Sequence, residues 1–182
     1  MVAETFPEAL KLTGLSEGGW SDRPLADDPG GPTMKGVTLG TYRAYRQRHG
    51  MPAPTKADLR AITDSEVRAI FKEGYWDEAR CDDLPAGLDY AVFDFAINSG
   101  AARAVRVLQD IVGADQDGKL GPKTLRALAD RLRGWPLPVT IDRYQDARLA
   151  FLKGRSNWSA NPGWAKRVEH VRRDAKAMVN RQ

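Results

Sequence analysis

Residues 87–100 read GLDYAVFDFAINSG, and this stretch decides what kind of fold the chain can adopt. Leu88, Ala91, Val92, Phe95 and Ala96 recur at the spacing of one helical face. Tyr90, Phe93 and Ile97 cover much of the remaining circumference, so the predicted helix belongs in the middle of a helical assembly. Asp94 and Asn98 interrupt it one turn apart, on a shared face. A buried carboxylate without a partner is unfavourable. Asp94 therefore caps a neighbouring helix or forms an internal salt bridge, or else its face lines a polar cleft.

Further helices are predicted on both sides. Downstream, Ala101, Val105, Leu108 and Val112 mark one, and Pro122 stands at the first position of another carrying Leu125, Leu128 and Leu132. Ile141, Tyr144, Ala147 and Phe151 mark a third, and Trp164, Val168, Val171, Ala175 and Met178 the last. Upstream, Thr63 and Glu66 have capping-box spacing before Val67, Ile70 and Phe71; Thr5 and Glu8 repeat it before an apolar face that Gly14 ends. Tyr42 and Tyr45 have the spacing of a core stripe, with Arg43, Arg46 and Arg48 at its rim. MPAPT (51–55) and GWPLP (134–138) read as helix breaks. Strand signals are confined to a glycine-rich ribbon between Trp20 and Thr38, suited to a short hairpin. The expected fold is mainly α with a small N-terminal β wing.

Composition sets outer limits. A chain of 182 residues with 42% hydrophobic and 29% charged residues can bury a core, and disorder is not expected. The net charge of +4 suits an anionic polymer as partner. Cys81 has no second cysteine to pair with, and His49 and His170 lack metal-site spacing, so no metal is expected. No apolar run approaches ~18 residues, the minimum for a spanning helix. The opening MVAETFPEALKLTG has neither the basic nor the apolar region of a secretory signal, so synthesis in the cytoplasm and a non-standard exit are expected.

One segment has no helical period and too many acids for an ordinary connection. Residues 17–38 read EGGWSDRPLADDPGGPTMKGVT, with Glu17 where the first helix stops and Asp27 and Asp28 ten and eleven positions later. If the ribbon folds back, one aspartate comes opposite Glu17. Two carboxylates across a glycosidic bond are what its hydrolysis needs: one protonated to donate to the leaving oxygen, one ionised to steady charge, activate water or attack. An aromatic neighbour raises a carboxyl's pKa by desolvation, and Trp20 is the candidate. The spacing alone equally fits a solvated loop whose aspartates cap turns.

The same residues resemble the signature of glycoside hydrolase family 108, the bacterial and phage N-acetylmuramidases. That family reads Glu-Gly-Gly-Tyr, then Asp-Pro-Gly-Gly-x-Thr, then Gly-(Ile/Val)-Thr. Glu17, Gly18, Gly19, Asp28, Pro29, Gly30, Gly31, Thr33, Gly36, Val37 and Thr38 match, and Trp20 departs by replacing the tyrosine. YAVFDFAINSGAARAVRVLQDIVGADQDGKLGPKTLRAL (90–128) is similar to the family's C-terminal peptidoglycan-binding segment, although a helix-turn-helix packing element accounts for Asp117, Gly118, Gly121 and Pro122 equally well.

The resemblance implies a lysozyme-like domain over 1–182, with a catalytic part over 1–85 and a helical part over 86–182. It implies cleavage of the β-1,4 bond between N-acetylmuramic acid and N-acetylglucosamine without a cofactor. Glu17 carries over as the acid, and Asp28, or the adjacent Asp27, as the second carboxylate. Thr33 and Thr38 are candidates to position the attacking water, and Trp20, Thr33 and Asn98 to bind sugar. Direct attack by water needs carboxyls about 6.5–9.5 Å apart, and a covalent route about 5–5.5 Å. The expected partners are glycan strands and a holin or secretion-system component, with the chain a monomer acting in the periplasm or wall, as endolysin or as a local wall-opening enzyme. A lytic transglycosylase, a non-catalytic wall-binding adaptor and a helical nucleic-acid binder are the alternatives.

Overall fold

The computed structural model describes residues 5–15, 18–22 and 31–181. Contacts divide the chain into a first compact unit, Phe6–Gly74, and a second that begins at Tyr75 and takes in Thr5.

The first unit holds helices α1 (Phe6–Thr13), α2 (Leu39–Arg48), α3 (Lys56–Arg60) and α4 (Asp64–Phe71), with strands β1 (Thr33–Met34) and β2 (Val37–Thr38). The strands pair antiparallel, Thr33 with Thr38 and Met34 with Val37, around a two-residue turn. Both turn residues have positive φ, Lys35 at 50° and Gly36 at 74°. This is the backbone that matches the twist of a tight hairpin. A Cβ on Gly36 would lie 2.7 Å from Leu15 Cβ, so only glycine fits against the end of the first helix. An isolated two-stranded hairpin is marginal in water. Here α2 packs on β2 and α3 on β1.

The helix ends follow side-chain chemistry. Thr63 and Glu66 form the expected capping box, and Thr55 and Asp58 form a second that starts α3. The core comprises Phe6, Ala9, Leu10, Val37, Tyr42, Tyr45, Leu59, Ile62, Val67, Ile70 and Phe71. Full burial of a side chain such as Ile70 or Phe71 contributes roughly 1.5–3 kcal/mol. The Tyr42 hydroxyl donates to Glu66 at 2.7 Å, and burial, aided by that carboxylate, pushes its pKa up to about 12. Past α4 the chain runs into a π-helical turn, Lys72–Asp77.

The second unit is built around α5 (Leu88–Ser99), whose residues from Leu88 to Ala96 are all buried. It packs against α6 (Ala101–Val112), α8 (Leu137–Lys153) and α9 (Gly163–Val179), and α7 (Pro122–Gly134) packs on α6. Gly87 opens α5 at φ +90°, and a Cβ there would sit 2.3 Å from the Ala175 carbonyl oxygen, so glycine sets the approach of α5 to α9. Asp89 Oδ1 accepts from the amides of Gly87 and Tyr90 at 2.7 and 2.6 Å, and the Thr5 hydroxyl donates to Oδ2. Burial pushes the Asp89 carboxyl up to about 6 despite these bonds.

Asp94 is internally salt-bridged. Arg148 Nη2 donates to its Oδ1 at 2.7 Å, and Arg167 donates to both oxygens at 2.7–3.1 Å. The turn after α6 is also locked from within. Gln109 Nε2 donates to Asp117, the Lys119 carbonyl and Thr124, while its Oε1 accepts from the Gly118 amide. These bonds give Gln109, Asp117, Gly118 and Thr124 a packing role. Mainly α architecture with one small hairpin is what the periodicities predict. No helix among the described residues is long and apolar enough to cross a membrane.

Candidate active site

Glu17, Asp27 and Asp28 lie outside the described residues. The described parts of their segment form a hydrogen-bonded frame. Ser21 and Thr33 exchange both backbone bonds, at 2.9 and 2.8 Å, which adds Ser21 beside β1 as an isolated antiparallel bridge. The Lys35 amide donates to the Gly18 carbonyl at 3.0 Å, and the Leu39 amide to the Pro32 carbonyl at 2.9 Å. Gly18, Ser21 and Pro32 are thus all tied to one hairpin. Among the described residues, this is the fold-back that the glycine- and proline-rich ribbon suggests.

Side chains of α3 and α4 brace the frame. Lys56 and Arg60 are one turn apart on α3 and hold the ribbon together: Lys56 Nζ reaches Asp22 at 3.0 Å, and the Arg60 guanidinium lies 4.4 Å from the centre of the Trp20 ring. Lys35 reaches across to Asp64 and the Ile62 carbonyl, which supports its left-handed backbone. Trp20 is half-buried, an aromatic wall with a cation over it. The bracing role of Lys56 and Arg60 was not anticipated from the sequence. The signal was present in the Thr55–Asp58 box spacing directly after MPAPT, followed by a basic pair at helical spacing.

The two threonines sit on this frame. Thr33 Oγ1 donates to the Gly31 carbonyl at 3.0 Å. Thr38 is the N-cap of α2: its Oγ1 accepts from the Thr41 amide at 3.1 Å and lies 3.0 Å from the Thr41 hydroxyl. Its hydroxyl therefore has a structural task of its own. In the second unit, Asn98 donates to the Asp94 carbonyl at 2.7 Å and lines a cavity with Trp164. Trp164 leans on Trp158 with ring centres 6.2 Å apart.

Against this geometry, the sequence profile of glycosyl hydrolase 108 matches residues 10–100, half of the chain, including the whole acidic ribbon and all of α5. Among solved structures, one described as the structure of Brucella abortus SagA matches with a TM-score of 0.83 and 44% identity. The match covers 96% of this chain and 95% of that one. No curated protein matches.

Proposed function

The chain belongs to glycosyl hydrolase family 108 and is a peptidoglycan-directed glycoside hydrolase, and from that premise we propose that it is an N-acetylmuramidase. It hydrolyses the β-1,4 bond between N-acetylmuramic acid and N-acetylglucosamine. Glu17 is the general acid, and Asp28, with Asp27 beside it, supplies the second carboxylate. The observation that carries this reading is the match of the family profile across the entire Glu17–Thr38 ribbon, whose described residues form one braced hairpin. A rigid frame is what acid catalysis needs, since a carboxyl displaced by about 1 Å loses much of its effect.

Trp20 and Thr33 contact sugar beside the acid, Thr38 orients the attacking water, and Asn98 takes part in glycan binding. Carboxyl chemistry of this kind needs no cofactor. The protein works as a monomer in the periplasm or wall after export, as endolysin or as a wall-opening enzyme with a holin or secretion-system partner. Digestion of purified peptidoglycan by wild type, Glu17→Gln, Asp28→Asn and Asp27→Asn tests the assignment. The Glu17 variant and one of the aspartate variants lose turnover while keeping a wild-type melting temperature. Full activity in Glu17→Gln refutes it.

A further inference from the structure

The cavity lined by Asn98 and Trp164 has a volume of about 310 Å³ and lies wholly within the second unit, where α5 and α8 end and α9 begins. Four arginines line it, at positions 103, 148, 155 and 167, and among the described residues no carboxylate does. Asp94 lies against two of them, bonded to Arg148 and Arg167. One buried negative charge against four positive ones leaves the cavity strongly cationic.

Arg167 is committed to Asp94, but the other three arginines keep N–H groups that no acceptor among the described residues takes. The Arg148 side chain is 2% exposed, and beyond its Nη2 bond to Asp94 its Nε and Nη1 have no hydrogen-bond partner among the described residues. The guanidinium also lies 5.0 Å from the Phe95 ring centre, but buried donors without acceptors are rare in folded proteins, and an acceptor on a ligand would satisfy these two. Arg103 and Arg155 lie on the exposed rim, with their guanidiniums 4.9 and 5.8 Å from the Phe151 ring centre. Neither has an ion-pair partner among the described residues, so two like charges share one aromatic ring. An anion in the cavity would meet Arg103, Arg155 and Arg148, all of which line it. Guanidiniums favour planar, charge-assisted bonds to carboxylates.

The other walls suit a peptide. Asn98 spends one side-chain N–H on the Asp94 backbone carbonyl, which leaves its own carbonyl oxygen as an acceptor for a ligand N–H. Trp164 offers an apolar side for a methyl or methylene chain. A glycan strand carries mainly neutral hydroxyl and acetamido groups, whereas the stem peptides hung on it carry free carboxylates. Resting on the reading that peptidoglycan is the substrate, we infer that this cavity binds a stem-peptide carboxylate, making the enzyme a reader of the peptide as well as of the sugar.

Isothermal titration calorimetry tests this without bond cleavage. The probes are a soluble stem tetrapeptide with free carboxylates, the same peptide fully amidated, and inorganic phosphate. The acid peptide is expected to bind at least about tenfold more tightly than the amide or phosphate. The Arg103→Ala/Arg155→Ala variant, altered only on the exposed rim, loses about the same factor while its melting temperature stays put. Equal binding of acid and amide, no binding of the acid, or phosphate binding as tightly as the peptide overturns the inference, the last marking a general anion site. Peptidoglycan digestion by the same wild-type preparation separates the two readings. Turnover without peptide binding removes only the subsite, and peptide binding without turnover removes only the muramidase reading.

Discussion

Asp94→Asn is the sharpest structural perturbation available. It keeps the shape of the side chain and removes the single negative charge that faces two guanidiniums. The Asp94 and Arg148 side chains are 1% and 2% exposed, whereas that of Arg167 is 29% exposed. Arg167 can turn towards water and should contribute little once unpaired. Arg148 cannot, and an uncompensated buried charge typically costs about 3–5 kcal/mol. Asparagine retains an oxygen that can still accept from Arg148, which places the expected loss near the lower end, about 3 kcal/mol. Urea unfolding followed by far-UV circular dichroism measures it from the shift in midpoint at constant slope. The paired replacement Asp94→Leu/Arg148→Met should stay within about 1 kcal/mol of wild type, because both charges leave together. An Asp94→Asn loss below about 1 kcal/mol, or a double variant as unstable as the two single changes combined, would refute the ion-pair account.

Three further outcomes follow from the geometry. Asp89 titrates at about 6 in the folded chain against an ordinary 3.8, so the folded state keeps a proton that the unfolded chain releases first. The stability this gives is full below pH ~4 and is lost as pH rises through ~6, by up to about 3 kcal/mol, and the difference in urea midpoint between wild type and Asp89→Asn across that window should show it. Gly87→Ala puts a Cβ 2.3 Å from the Ala175 carbonyl oxygen at a φ of +90° and should cost about 3 kcal/mol or more, read as a fall in melting temperature. Thr38→Ala removes the cap of α2 and should cost about 1 kcal/mol in urea unfolding, which Thr38→Ser restores; an activity loss much larger than this stability loss would mark a role in catalysis as well.

Much of the fold was legible because its signals are local. The all-round apolar pattern of residues 88–97 identified the buried helix, and the Thr63–Glu66 spacing and Pro122 marked real helix starts. Tyr42 and Tyr45 proved to be core residues. What was not legible depends on partners far apart in the chain. Asp94 called for a counter-charge, but nothing nearby in sequence could single out Arg148 or Arg167, 54 and 73 residues on. Gln145 and Arg148 look like the polar face of an amphipathic helix, yet both are buried. The hairpin turn was obscured because lysine stands where asparagine, aspartate or glycine normally takes positive φ. Within the candidate site, the ribbon and its glycines announced themselves by composition. The clamp of Lys56 and Arg60 on Asp22 and Trp20 did not, because it joins an exposed basic pair to residues more than thirty positions earlier.

Glu17 is proposed to drive hydrolysis of the muramyl–glucosaminyl bond. Mass spectrometry of the soluble products released from purified peptidoglycan, by wild type and by Glu17→Gln in parallel, tests it most directly. Reducing muramic acid ends are expected from the wild type and none from the variant. Products lighter by one water would show a transglycosylase forming 1,6-anhydro ends. No products from wild type, with wall binding intact, would leave the acidic ribbon as a recognition surface and contradict the claim.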